Sequence, residues 1–406
     1  MQPRAIMHDL LDNGVRPRAD VAAPVTQAAE PASDLTGGRT AVERDQARRF
    51  VVNGRFLASQ PVGVHRVATE LVRHAHALIE DDPALARRVA LKLWIPADAE
   101  ERAASLGVPY LVVGPLTGNA WEQLTLPARA GRDTVVSLCN VGPVLRRNSV
   151  TMLHDVQVLL SPESYSANFR RWYRLQQPLV GERHRRILTV SEFSRDQIVE
   201  AGVAPAGKIT VIHNGCDHVL ADGADERVLE RLGLVQGGYT LALSSTQAHK
   251  NIPMLLRAFA RPELKDRILV LFGSTSREQF VAAGHHVPSN VRFAGRVSDN
   301  ELRALYENAQ LFAFPSTTEG FGLPPLEAMR LGTPAIVAPC GALPEACSDG
   351  ALYVPFDDPA AWAKAIAAVY DNPQHRGELA ARALGRAKRL TWDRAARNLL
   401  NTLLSL

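Results

Sequence analysis

Short apolar runs alternate with segments of helical period along this chain, in two successive series. That alternation constrains its fold more than any other feature. The first series holds Phe50–Asn53 in "RRFVVNGRFL", then "RVALKLWIP", "YLVV", "TVVSL", "VTMLHD", "HRRILTVS" and "KITVIHNG". Within it, "PVGVHRVATELVRHAHALI" sets Val64, Val67, Ala68, Leu71, Ala75 and Leu78 at helical spacing, with Gly63 just before the helix. "EFSRDQIVEAG" reads as a further helix. From Cys216 to Glu230 the pattern lapses into Gly, Asp and Ala. A second series follows: "YTLALSS", a helix at "NIPMLLRAFA", "RILVLFG", "VRFAG", a helix at "SDNELRALYENA", "LFAFP", "PAIVA" and "ALYVPF". "DDPAAWAKAIAAVYDN" has the acids and the proline of a helix start, and "TWDRAARNLLNTLLSL" reads as a closing helix. Strands alternating with helices favour parallel sheets covered by helices. The expected fold class is therefore α/β, with two doubly wound domains joined near residue 217. Such sheets bind ligands beyond the carboxyl ends of their strands, so a cleft between the domains is the expected site.

Composition narrows the class. Of 406 residues, 46% are hydrophobic and 22% charged, which is ordinary globular usage, and the length favours two domains. No apolar run approaches the roughly 18–20 residues of a membrane span. The first residues lack an apolar core followed by a small-residue cleavage site, so a cytoplasmic protein is expected. Cys139, Cys216, Cys340 and Cys347 form no C-x-x-C pair and read as reduced thiols. A net charge of +4 does not argue for nucleic acid; it suits anionic surfaces or phosphorylated ligands. Residues 1–48, rich in Ala, Pro, Asp and Arg without a sustained period, read as a disordered leader.

The stretch "STTEGFGLPPLEAMRLGTPAIVAP" places Glu319 and Glu327 eight positions apart around Gly320, Gly322, Pro324 and Pro325. On one helix the two acids would stand roughly 12 Å apart along the axis, too far for a close acid/base dyad. The glycines argue instead for a loop, with a helix starting at Pro324 or Pro325. Glu319 then lies in the loop and Glu327 in the first helical turn. The amides of Gly320, Phe321, Gly322 and Leu323 can face one volume at the positive end of the helix dipole, which suits a phosphate. The carboxylates can accept from hydroxyls. A phosphorylated, polyhydroxylated ligand satisfies the set; a helix N-terminus that merely favours acids is the other reading.

"EGFGLPPLEAMRLGTPAIV" closely resembles the E-x7-E signature of retaining GT-B glycosyltransferases of family GT4. The resemblance spans about residues 50–400 and includes "NGRFL…GVHRVATEL", "TMLHD", "VSEFSRDQI…KITVIHNGCD" and "HKNIPMLLRAF", in the family's order. It implies two Rossmann-like domains facing a central cleft: an acceptor domain over 49–216, a donor domain over 217–390, and a closing helix over 391–406 that packs back toward the first domain.

The resemblance also implies roles. Glu319 lies by the donor sugar hydroxyls as an orienting group, Glu327 binds the ribose, and the amides of Phe321, Gly322 and Leu323 hold sugar and diphosphate. Lys250 neutralises the leaving diphosphate. His154 approaches the sugar from the acceptor domain, with Asp155 orienting its ring or capping the next turn. Gly63 lies near the diphosphate, and its structural reading is a tight strand-to-helix turn. Asn214, Gly215 and Asp217 form a turn entering the linker. Many relatives carry Arg five residues before the lysine or immediately before it; here these are Ser245 and His249. Protonated His249 or Arg296 is offered as the replacement cation.

The expected reaction is front-face transfer that retains configuration, with the leaving phosphate helping to deprotonate the acceptor, and with no cofactor and no metal. The nucleotide-diphosphate sugar is a substrate, with GDP-mannose favoured and UDP-sugars next. The acceptor is expected to be a saccharide or polyprenyl-diphosphate-linked glycan of bacterial surface polysaccharide synthesis. "NFRRWYRLQQPLVGERHRR", residues 168–186, mixes Arg170, Arg171, Arg174, Arg183, Arg185 and Arg186 with Trp172 and Tyr173. It reads as a solvated helix face with core aromatics, or as a surface for anionic lipid headgroups at the inner face of the membrane. A sugar-nucleotide epimerase or phosphorylase on the same fold, and a non-catalytic nucleotide- or glycan-binding relative, are the rival functions.

Overall fold

The chain builds its core from strands too short and too apolar to stand alone. A computed structural model describes residues 47–59, 62–160 and 167–406. The leader expected over 1–48 lies outside the described residues except for Ala47 and Arg48, and Arg48 already opens the first strand.

Among the described residues the first sheet is parallel and seven-stranded, in the order β3-β2-β1-β4-β5-β6-β7. Its strands are β1 Arg48–Asn53, β2 Val89–Ile95, β3 Tyr110–Val112, β4 Thr134–Ser137, β5 Ser149–Met152, β6 Arg186–Thr189 and β7 Ile209–Val211. The second sheet runs β10-β9-β8-β11-β12-β13, also parallel. It is made of β8 Tyr239–Leu243, β9 Ile268–Phe272, β10 Val291–Gly295, β11 Leu311–Phe314, β12 Ala335–Val337 and β13 Ala351–Tyr353. β4, β5 and β11 are buried along their whole length, as strands covered on both faces must be. In each sheet the strand order reverses once, between β1 and β4 and between β8 and β11, and at such a reversal loops diverge to leave a crevice.

The helices that matter to function are α1 Gly63–Asp81, α2 Ala167–Arg183, α3 Glu192–Glu200, α4 Ile252–Phe259, α5 Asp299–Asn308, α6 Leu323–Arg330, α7 Pro359–Asp371, α8 Pro373–Ala387 and α9 Trp392–Leu404. α7 starts as its sequence dictates: Asp358 Oδ1 accepts from the amides of Ala360 and Ala361, both at 2.9 Å, with Pro359 at the first position. α8 has no counterpart in the sequence reading, although Asn372 caps it and Pro373 opens it. Gly63 is the first residue of α1 rather than the residue before it, and a Cβ there would meet nothing within 4 Å. The turn expected to require this glycine does not require it.

α9 buries Trp392, Ala395, Ala396, Leu399, Leu400 and Leu403, a stripe at helical spacing, and packs along α1. Arg48 Nη1 donates to Leu404 O at 2.8 Å, and His74 Nδ1 lies 2.7 Å from Asp393 Oδ1. The chain thus returns to the first sheet after completing the second. Its two crossings touch at the backbone, where Cys216 N donates to Leu390 O at 3.1 Å. Gly215 allows that approach, since a Cβ there would come within 2.3 Å of Trp392 N.

Candidate active site

The second sheet's strand-order reversal sets Lys250 and Glu319 side by side. Lys250 follows β8 and Glu319 follows β11. The two loops are joined where Thr317 N donates to His249 O at 2.8 Å. Asn251 caps α4 in the left-handed region, φ 53°, a conformation Asn tolerates better than most residues. Its Nδ2 donates to Phe356 O at 2.7 Å and to Pro315 O at 3.3 Å, which holds the turn carrying Lys250 against β11. Lys250 Nζ then donates to Glu319 Oε1 at 2.7 Å and stands 5.5 Å from the Phe314 ring centroid. The two side chains are 17% and 12% exposed, so this ion pair is largely withdrawn from water.

α6 begins at Leu323, one or two residues earlier than expected, because Gly322 at φ 91° takes the left-handed cap that ends the loop. Glu327 consequently sits in the second helical turn, not the first. Its Oε2 accepts from Tyr306 Oη at 3.0 Å on α5, and its Oε1 lies 3.1 Å from His218 Nε2. Trp392 Nε1 donates to His218 Nδ1 at 3.0 Å. An indole nitrogen only donates, so Nδ1 accepts and the ring hydrogen on Nε2 points at Glu327. Burial opposes the charged form of Glu327, yet the hydrogen bonds from His218 and Tyr306 and the Arg66 charge hold its carboxyl below the usual range. Burial pushes the Tyr306 phenol well up, which keeps it a donor.

The first domain meets this loop directly. Ser191 Oγ and Ser194 Oγ, at the start of α3, donate to Gly320 O at 2.7 and 3.1 Å. Gln157 Nε2 donates to Thr318 Oγ1 at 3.0 Å. A Cβ on Gly320 would fall 2.8 Å from His154 O, so only glycine lets the two domains close this tightly. Glu345 of the second domain accepts from the amides of Glu192 and Phe193 at the α3 N-terminus, at 2.8 and 3.2 Å, and lies 2.6 Å from His213 Nε2. His154 is buried; its Nε2 lies 2.8 Å from Leu138 O and its amide donates to Asn140 Oδ1 at 2.6 Å. Burial lowers its pKa to about 4. Asp155 caps the following turn, accepting from Gln157 N at 3.0 Å, so the capping alternative holds and the ring-orienting one does not.

A cleft cavity of about 590 Å³ is lined by Gly63, Arg66, Leu323, Pro324 and Glu327 among others. It unites residues 260 positions apart that the sequence pattern assigned to one site. Phe321 is buried, with its ring 5.9 Å from that of His213. Ser245 Oγ accepts from Gln247 N at 3.2 Å, a turn contact. Arg296 is exposed after β10 and lines neither this cavity nor the adjoining one around Glu70 and His218. Arg66, Arg73 and Arg102 line the cleft cavity, and of these Arg66 of α1, bonded to Asp299 of α5, is close enough for its charge to act on Glu327. Sequence reasoning passed over Arg66, Ser191, Ser194, His218, Tyr306 and Glu345. The first three stood inside quoted motifs; the last three become legible only when distant elements meet. Among the described residues, no group of three or more His, Cys, Asp or Glu is placed to hold a metal ion.

Comparison with known proteins agrees with this geometry. Residues 133–220 match the family described as glycosyltransferase family 4, and residues 235–386 match glycosyl transferases group 1. O-antigen chain mannosyltransferase B of Escherichia coli is 31% identical over 264 residues, covering 62% of this chain and 69% of that protein. O-antigen chain mannosyltransferase RfbU of Salmonella typhimurium is 29% identical over 257 residues with the same coverage. Anabaena HepE, solved with UDP and glucose, superposes with a TM-score of 0.66 at 20% identity, covering 88% of this chain and all of that one. WaaG, a glycosyltransferase involved in lipopolysaccharide biosynthesis, gives 0.59 at 14% identity, covering 87% and 99%. These two structural likenesses speak for the fold, which is GT-B. The chain belongs to the group 1 glycosyltransferases of family 4. It is an enzyme that transfers a sugar from a nucleotide-sugar donor to a saccharide acceptor.

Proposed function

We propose that this enzyme transfers mannose from GDP-mannose, with retention of configuration, to a lipid-linked glycan in bacterial surface polysaccharide synthesis. The observation that carries the reading is the largely withdrawn Lys250–Glu319 pair at the strand-order reversal, with Glu327 held ready in the second turn of the helix that follows the Glu319 loop. In this proposal the donor ribose takes Glu327, the diphosphate takes Lys250 and the N-terminus of α6, and the sugar lies between Glu319 and His154. The Lys250 ammonium, released from Glu319 by the incoming diphosphate, stabilises the charge that develops as the glycosidic bond breaks. Arg66 is the proposed substitute for the arginine missing at Ser245 and His249. Lys250 and the helix N-terminus serve where another transferase would use a metal, and no cofactor is required. The two O-antigen mannosyltransferases among the relatives support mannose.

The acceptor's lipid is proposed to meet the enzyme at α2. Leu124, Leu145 and Leu175 are 61%, 78% and 61% exposed. Gln123 and Gln176, each beside one of these leucines, both donate to Gly142 O at 2.9 Å, which gathers the three onto one region. Arg171 and Arg174 are exposed there on α2. Among the described residues no helix is long and apolar enough to cross a membrane. The proposed location is therefore the inner membrane face, reached from the cytoplasm.

A thermal-shift panel of GDP, UDP, ADP and their sugar conjugates, with and without EDTA, tests the donor. A selective rise with GDP and GDP-mannose, unaltered by EDTA, is expected. A selective UDP response would replace the donor, and a loss of the response in EDTA would replace the metal-free mechanism.

A further inference from the structure

The first sheet has its own strand-order reversal, and the donor chemistry makes no use of it. Between the loops that follow β1 and β4 lies a cavity of about 460 Å³. Asn53 closes β1, Asn140 follows β4, Asp155 follows β5, and Tyr173 reaches in from α2. On one side lies Glu122, fully buried, on a single π-helical turn, Trp121–Thr125. Turns of this kind are rare and recur at functional sites. Glu122 Oε1 accepts from Asn53 Nδ2 at 2.7 Å and stands 3.3 Å from Arg55 Nε. Arg55 Nη1 donates to Asn119 Oδ1 at 3.0 Å. Asn140 holds the left-handed conformation, φ 60°, which asparagine tolerates better than most residues. The cavity borders the donor loop, because a Cβ on Gly320 would stand 3.3 Å from Asp155 Cβ.

The charge of this cavity is decisive. Among its described lining residues Arg55 is the only Lys or Arg, and it is already engaged by Glu122. Asp155 adds a second carboxylate. With histidine uncharged the sum is +1 − 1 − 1, or −1. A sugar's hydroxyls can donate to both carboxylates. A carboxylate or phosphate on the sugar would instead face two like charges and no unengaged cation in a poorly solvated space.

We propose that this cavity of the acceptor domain selects, as the receiving sugar, an uncharged hexose over a hexuronate or hexose phosphate. Asp155, at the edge nearest Glu319, is the group that turns the accepting hydroxyl toward the donor. The proposal rests on the glycosyltransferase reading above.

The test is calorimetric titration of the full chain with three methyl glycosides: a hexopyranoside, its hexuronate and its 6-phosphate. The neutral glycoside should bind at least about tenfold more tightly than either anionic one. Glu122→Gln, which removes a charge but keeps the shape, should narrow that ratio to about threefold. Asp155→Asn, on the half-buried side, should narrow it as well and serves if Glu122→Gln folds poorly. In turnover, Asp155→Asn should raise the acceptor KM while leaving the donor KM unchanged. Equal or tighter binding of an anionic glycoside by the unaltered protein overturns the proposal. So does a ratio that neither variant moves, and so does the absence of binding by all three. Selective binding of the neutral glycoside without transfer from any nucleotide sugar would sustain the cavity's role and overturn the functional reading instead.

Discussion

Lys250 and Glu319 neutralise one another at 2.7 Å, so each is the other's substitute ligand before the donor arrives. Removing Glu319 would leave a poorly solvated ammonium, and removing Lys250 would leave a carboxylate beside the incoming diphosphate. Lys250→Ala is therefore expected to lower kcat/KM by at least about 100-fold, the scale of losing one charge-stabilising donor. An activity within threefold of the parent enzyme would remove Lys250 from the mechanism. His218 acts differently. It touches Glu327 with one ring nitrogen and Trp392, at the second crossing between domains, with the other. It is a positioning residue: His218→Ala should raise the donor KM about tenfold through loss of a hydrogen bond to a charged group, with kcat changed far less. A fall in kcat at unchanged KM would refute that role. The sequence exposed Glu319, Glu327 and Lys250 because loops built on glycine, proline and asparagine leave a local signature. His218 and Tyr306 were not legible, because each is an ordinary residue until β11 and α6 bring Glu327 to it.

At the scale of elements, the strands were legible throughout: central strands such as β4, β5 and β11 are covered on both faces and apolar along their length, and even the largely exposed edge strand β3 is the short apolar run Tyr110–Val112. α8 was missed for the opposite reason. "PQHRGELAARALGRA" buries only Leu379, Ala383 and Ala387, and so few apolar positions mark the period weakly. α2 divides the two readings its sequence allowed. Tyr173 turns inward to the cavity between the loops after β1 and β4, as a core aromatic would, while Arg171, Arg174 and Leu175 face out. If that outward face docks on lipid, the chain should sediment with vesicles containing phosphatidylglycerol and not with purely zwitterionic ones. Arg171→Glu with Arg174→Glu should abolish sedimentation while sparing transfer to a water-soluble acceptor. Equal sedimentation with both kinds of vesicle would exclude an electrostatic docking surface.

For the whole molecule, acid is the sensitive direction. Burial lowers the pKa of His154 and of His184 from 6.5 to about 4. A histidine depressed in the folded state takes up its proton more readily when unfolded, so stability rises with pH across the window from about 4 to 6.5 and is lost as pH falls through it. Each ring sets a loss of up to about 3 kcal/mol at the acid end. Glu327, held below its usual range, loses its contribution in the same direction at still lower pH. The unfolding midpoint temperature should fall steadily from pH 6.5 to 4, and His184→Gln should flatten the fall. A flat profile in the parent chain would show that these rings are not buried in solution.

The return of α9 to α1 carries a consequence for how the protein is made. A ribosome delivers the chain from one end, and domains commonly fold as they emerge. Here the apolar side of α1 that α9 covers stays bare until Leu403 has left the exit tunnel, long after the rest of its own domain is available. The first domain is thus finished only after the second sheet has been made, and until then the nascent enzyme carries a greasy seam awaiting α9. A chain stalled or clipped between Arg389 and Trp392 would keep both sheets yet expose that seam, and a folding quality-control system could recognise it as unfinished.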